Sequence, residues 1–128
     1  MSLAIRLQSA SSDFQKLQAS MAETVDVRQK LEAQLSENEL VKKELANVTP
    51  ENIVYKQIGS VLVKQDLTDA KSTVETRLEF IKSEIKRIEV QLKEIEGKQE
   101  KKKQELVQIQ TAIQQQATED ASASPPKP

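Results

Sequence analysis

Few residues in this chain could do covalent or metal chemistry. There is no His and no Cys, which removes the usual nucleophile–base pairs and nearly all zinc sites. With only two Gly in 128 residues, neither a phosphate-cradling loop nor a dinucleotide fingerprint can be assembled. No run of carboxylates has the spacing of a calcium loop. Asp66 and Asp69 are the one pair that resembles catalytic carboxylates. At the start of a helix such groups cap the backbone and offset the helix dipole, and that is the role expected here. Asn47-Val48-Thr49 matches a glycosylation sequon; without an export signal it reads as a chance match. Lys101-Lys102-Lys103 sits among glutamates and reads as a solvated helix face rather than a nuclear-targeting signal. The expectation is a protein that is not an enzyme, with no cofactor and no metal, acting by binding other proteins.

Charge and composition narrow the partners. The 19 basic and 20 acidic residues are interspersed and give a net charge of −1, so the basic stripe of a nucleic-acid binder is missing. No apolar run approaches the roughly 20 residues of a membrane-spanning helix, and Met1-Ser2-Leu3-Ala4-Ile5-Arg6 is too short for a signal-peptide core. The lack of Cys fits a reducing compartment. A soluble cytoplasmic protein is expected, with no nucleic acid and no membrane among its partners. Charged residues are 30% of the chain and aromatic ones 2%, the balance of an extended helical protein that buries a seam.

That seam is legible in the spacing. Leu78, Ile81, Ile85, Ile88, Leu92 and Ile95 follow one another in steps of three and four, and the rhythm returns at Leu106, Ile109 and Ile113. This 3.5-residue repeat keeps one stripe of a helix against a partner helix. Val74 extends it upstream, and Thr68 is a plausible N-cap. Between the two apolar runs, seam positions fall on Gln99 and Lys102, close to Gly97. This stretch reads as weakened, solvated coil, or as a flex point. The first half is a weaker copy. Phe14, Leu17, Met21, Leu31, Leu35 and Leu45 keep register while Thr24, Arg28, Asn38 and Lys42 interrupt it. Leu40, Val41 and Val48 suggest a shift of the stripe near Asn38, as a stammer would produce.

Between the helices the period changes to two. Ile53–Ile58 and Val61–Asp66, separated by Gly59-Ser60, read as a β-hairpin. A lone two-stranded hairpin is marginal in water and has two open edges, so these strands are expected to join a larger sheet made with other subunits. The expected organisation is a single domain over residues 1–118, with helix 3–46, β-hairpin 53–66 and helix 68–118, followed by a disordered tail over 119–128. The fold class is all-α dominated: a long antiparallel coiled-coil hairpin carrying a single β-hairpin between its helices. Leu35 should then lie near Glu79, Phe14 near Glu100 and Leu3 near Thr111, with both termini at the end away from the strands.

One stretch is specific enough to suggest a family. Val54-Tyr55-Lys56, Gly59 and Val61-Leu62-Val63, followed by Ala70, Val74 and Arg77-Leu78-Glu79-Phe80-Ile81, resemble a β-type prefoldin subunit. Arg28-Gln29-Lys30-Leu31-Glu32, Gln34-Leu35 and Glu37-Asn38 add an upstream match. The resemblance implies one subunit of an ATP-independent hexamer of α-type and β-type prefoldin subunits, joined through their hairpins. It implies that the coil tips hold non-native polypeptides, notably actin and tubulin, and pass them to the cytosolic group II chaperonin. The single hairpin fits the β-type. Below about residue 25 and beyond about residue 95 the likeness is only that of one coil to another.

Two groups of residues follow as candidates. Val54, Tyr55, Ile58, Val61, Leu62 and Val63 are expected to assemble the hexamer. Leu3, Ile5, Leu7, Phe14, Leu106, Ile109 and Ile113 are expected to form the client-binding tip. These tip residues either close the coil or, when it frays, offer apolar surface to clients. The rival expectation is a scaffold or tether subunit that holds no client.

Overall fold

The computed structural model describes residues 2–49 and 51–123. The order of elements is α1 (Leu3–Ala46), β1 (Val54–Ile58), β2 (Val61–Gln65) and α2 (Leu67–Ala123). Two compact units divide the described residues, one within residues 26–90 and one made of residues 2–25 with 91–123.

In the unit of residues 26–90, α2 supplies the buried stripe. Ala70, Val74, Leu78, Ile81 and Ile88 are all at most 6% exposed. Across from them Leu31, Leu35, Asn38 and Leu45 of α1 are half-buried. The register of α1 therefore runs through Asn38 to Leu45 without the expected stammer. Leu40 and Val41 are 61% and 42% exposed, so they lie off the seam. The polar interruptions are satisfied locally or across the coil. The Asn38 amide donates to the Gln34 carbonyl at 2.7 Å. Arg28 Nη2 donates to Glu89 at 3.1 Å, and Lys42 Nζ lies 2.7 Å from Glu75. Arg28 Nε is also 3.2 Å from Glu32, but it is sheltered from solvent without hydrogen-bond geometry; this contact is Coulombic only.

The unit of residues 2–25 with 91–123 has the same seam in a thinner form. Ala10, Leu92 and Ile109 are its buried residues, flanked by half-buried Leu7, Phe14, Leu17, Met21, Ile95, Leu106 and Ile113. Lys102, a seam position, lies 3.5 Å from Asp13 and 2.8 Å from Glu105. That pairing places Asp13 opposite Lys102, close to the expected meeting of Phe14 and Glu100. α2 passes through Gly97 without a break. A methyl group added there would meet nothing within 4 Å, so this stretch is solvated coil.

The ends of the helices differ from expectation in two places. Ala70 N donates to the Asp66 carbonyl at 2.9 Å, which makes Asp66 the N-cap in place of Thr68. Asp is among the strongest N-cap residues, and Asp69 in the first turn complements the dipole. At the other end, α2 continues past Thr118 to Ala123, where a disordered tail was expected from 119. Glu and Ala in that stretch favour helix, and residues 119–124 contain neither Gly nor Pro. Residues 124–128 of the expected tail lie outside the described residues. α1 begins on a Ser2 cap, with Ile5 N donating to Ser2 Oγ at 3.2 Å.

Candidate functional site

Between the helices, β1 and β2 pair antiparallel in the register Ile58↔Val61 through Val54↔Gln65. The two-residue connection is Gly59-Ser60. Gly59 has φ +60 and no non-Gly residue among the described residues has positive φ, which identifies a type II′ turn, the form that matches strand twist. Gln57 Nε2 closes the turn by donating to the Gly59 carbonyl at 3.2 Å. The sheet has two strands, so both outer edges carry unpaired backbone groups among the described residues.

Alternation puts Val54, Ile58, Val61 and Val63 on one face, and Tyr55 and Leu62 on the other. Tyr55, Ile58, Val61, Leu62 and Val63 are 45–64% exposed, and Val54 is half-buried against the coil. Ile53, just before β1, is 59% exposed. An apolar surface this continuous, with open edges on both sides, is what a partner sheet would cover.

The residues expected at the tip are arranged differently. Leu3, Leu7, Phe14, Leu106 and Ile113 are half-buried, Ile109 is 1% exposed and Ile5 is 54% exposed. These side chains close the coil, and Ile5 alone of the seven is presented to solvent. A cleft of about 520 Å³ lies nearby, walled by Asp13, Leu17, Lys98 and Lys102 among others. Lys102 has its pKa raised, first by its hydrogen bond to Glu105 and then by the field of Glu105 and Asp13, against a lowering by desolvation. Lys102 is therefore a cation held on the seam by Glu105 and Asp13, while Lys101 and Lys103 are exposed.

Two features of the coil were not legible as a site. Phe80, within the Arg77–Ile81 motif, is 64% exposed. The signal was present, since the steps Leu78 to Ile81 leave Phe80 off the seam. The ion pairs of Arg28 and Lys42 with α2 depend on which residues of the two helices face each other, which spacing within one helix does not give.

The architecture is that of a β-type prefoldin subunit. The solved prefoldin beta subunit from Thermococcus strain KS-1 superposes with a TM-score of 0.69, covering 83% of this chain and 90% of that one at 24% identity. The family model described as "Prefoldin subunit" matches residues 8–116. Prefoldin subunit 6 of Canis lupus familiaris is 44% identical over 119 residues, 93% of this chain and 92% of that protein. The Arabidopsis thaliana prefoldin subunit 6 is 40% identical over 108 residues, 84% of each chain, and the Saccharomyces cerevisiae one 35% over 96 residues, 75% and 84%. The chain belongs to the prefoldin subunit family, whose members are non-enzymatic chaperone subunits. No helix among the described residues is long and apolar enough to cross a membrane.

Proposed function

We propose that this chain is one subunit of a hexameric prefoldin in the cytoplasm. It assembles through its hairpin, holds non-native actin and tubulin at residues 3–14 and 106–113, and delivers them to the group II chaperonin without ATP. The observation that carries the reading is the two-sided apolar hairpin with both edges open. Strand addition to those edges satisfies backbone donors and acceptors while Val61, Leu62 and Val63 lose their water. In this reading Tyr55, Ile58 and Val54 complete the shared sheet, and no nucleic acid takes part.

Client holding draws on the thinner seam. Opening the coil there costs fewer buried contacts than opening it beside the hairpin, and low local stability is where binding segments are found. Opening would expose Leu3, Leu7, Phe14, Leu106, Ile109 and Ile113 beside the already exposed Ile5. A second reading is favoured by the closed packing of Ala10 and Ile109: a scaffold subunit that holds no client. Light scattering after dilution of denatured actin separates the two. The complex reconstituted with this chain should suppress aggregation, and deletion of residues 1–10 and 106–128 should weaken suppression while the hexamer stays whole. Undiminished suppression by the truncated complex moves client binding elsewhere, and no suppression by the intact complex leaves the scaffold reading.

A further inference from the structure

Within residues 26–90, the apolar surface of the hairpin continues along one side of the coil. A cleft of about 310 Å³ at the hairpin root is lined by Val41, Tyr55, Lys56 and Arg77, among others. Arg77 also lines a second cleft of about 450 Å³, walled by Gln34, Asn38, Thr76, Phe80 and Ile81. The two clefts share that residue, so one track leads from Tyr55 through Arg77 to Phe80. Val41, Tyr55 and Phe80 on it are 42%, 49% and 64% exposed.

Phe80 is one of two Phe in the chain, and the other, Phe14, is half-buried in the seam. The coil has no structural use for a phenyl ring at position 80, because Leu78 and Ile81 already fill the seam there. The charge along the track is one-sided as well. Lys56 and Arg77 are the charged groups lining the two clefts, and no carboxylate lines either among the described residues, in a chain with 20 acidic residues. An aromatic ring beside an arginine is the composition of an interface anchor.

We propose that this track is a second subunit contact, at which a neighbouring prefoldin subunit packs apolar side chains on Phe80 and sets a carboxylate against Arg77. The inference rests on the hairpin joining other subunits and extends that contact from strand pairing to the side of the coil. A neighbour bound at the strand edges is held beside Tyr55, where the track begins. The second contact then forms at high effective concentration without needing to be strong alone.

The chain has no Cys, so single thiols can report on burial. Phe80→Cys, Val61→Cys and Val90→Cys variants are each exposed to N-ethylmaleimide, alone and after assembly with partner prefoldin subunits, and labelling is read from the mass of this chain. Val90 is 56% exposed and lines neither cleft, so its variant should label at one rate in both states. Assembly should slow labelling of the Phe80→Cys and Val61→Cys chains by about tenfold or more, as expected for residues in a desolvated contact. Equal rates for Phe80→Cys, with Val61→Cys protected, overturn this inference and leave the hairpin reading standing. If Val61→Cys labels freely in the assembled complex, the hairpin reading itself fails. Protection of Phe80→Cys in the isolated chain that rises with its concentration identifies self-contact and also overturns the inference. Arg77→Glu should raise the dissociation constant of the complex by about tenfold, as for loss of an interface anchor, while Lys82→Glu leaves it unchanged. An unchanged constant for Arg77→Glu contradicts the proposed carboxylate contact.

Discussion

The two compact units use one repeat to different ends. In residues 26–90, consecutive seam positions of α2 are aliphatic, and Ala70, Val74, Leu78, Ile81 and Ile88 are buried. In residues 2–25 with 91–123, the same steps land on Gln99 and Lys102, both half-buried, and burial is confined to Ala10, Leu92 and Ile109. Apolar seam residues stabilise in proportion to the area they remove from water. A lysine on the seam returns less, because its charge must be met by carboxylates, here Asp13 and Glu105. A coil can thus be made firm beside a hairpin and yielding elsewhere with no change of period.

Substitutions can break or sharpen that contrast. The largest effect is expected from Leu78→Ala. Leu78 is 3% exposed, and truncating it should cost about 3 kcal/mol through lost burial and a residual cavity, read from urea unfolding followed by circular dichroism. Equal sensitivity at half-buried Leu106, by Leu106→Ala, would erase the difference between the units. Gly59→Ala comes next. With φ +60 at the turn, a side chain costs about 1–2 kcal/mol of backbone strain; the hairpin should loosen while the helical signal is kept. Gly97→Ala works in the opposite sense. The position has room for a methyl group and should gain about 1 kcal/mol of helix stability, making the thinner seam firmer and raising the denaturation midpoint.

The smallest effects concern pH. The Glu84 carboxyl is held below its usual range, first by the hydrogen bond from Arg87 and then by the Arg87 charge, against desolvation. Its folded pKa is lowered, so its contribution is present above the unfolded value and lost as pH falls through the lowered one. Lys42 is raised, first by its hydrogen bond to Glu75 and then by the Glu75 charge. That contribution is present below the unfolded lysine value and lost as pH rises through the raised one. Lys42 is exposed and Glu84 half-buried at the coil surface, where solvent screens both pairs, so Glu84→Gln and Lys42→Met should flatten only the acid and alkaline shoulders of the thermal midpoint against pH.

Much of this was legible beforehand for physical reasons. The seam from Leu78 to Ile113 could be read because burial in a coil depends on residue type every three or four positions. The hairpin could be read because Gly59 between two β-branched runs leaves few other folds. What escaped depended on contacts between distant segments. Leu40 and Val41 mimicked a stammer, yet Val41 instead lines the cleft at the hairpin root. Asp66 displaced Thr68 as the cap because β2 ends at Gln65 and hands the chain directly to α2. Phe80 was visible as a motif residue, but that it shares a cleft with Arg77, which in turn lines the cleft holding Tyr55, depends on the hairpin's placement, which spacing along one helix does not give.

The proposed division between an apolar hairpin that assembles and a coil that stands by its own seam is tested most directly by mass. The chain carrying Val61→Asp and Val63→Asp should be mixed with partner prefoldin subunits and weighed by native mass spectrometry, with its helicity followed in parallel. The account predicts loss of the hexamer, with the chain appearing as monomer or dimer and its helical signal unchanged. An intact hexamer that includes the doubly substituted chain would contradict it.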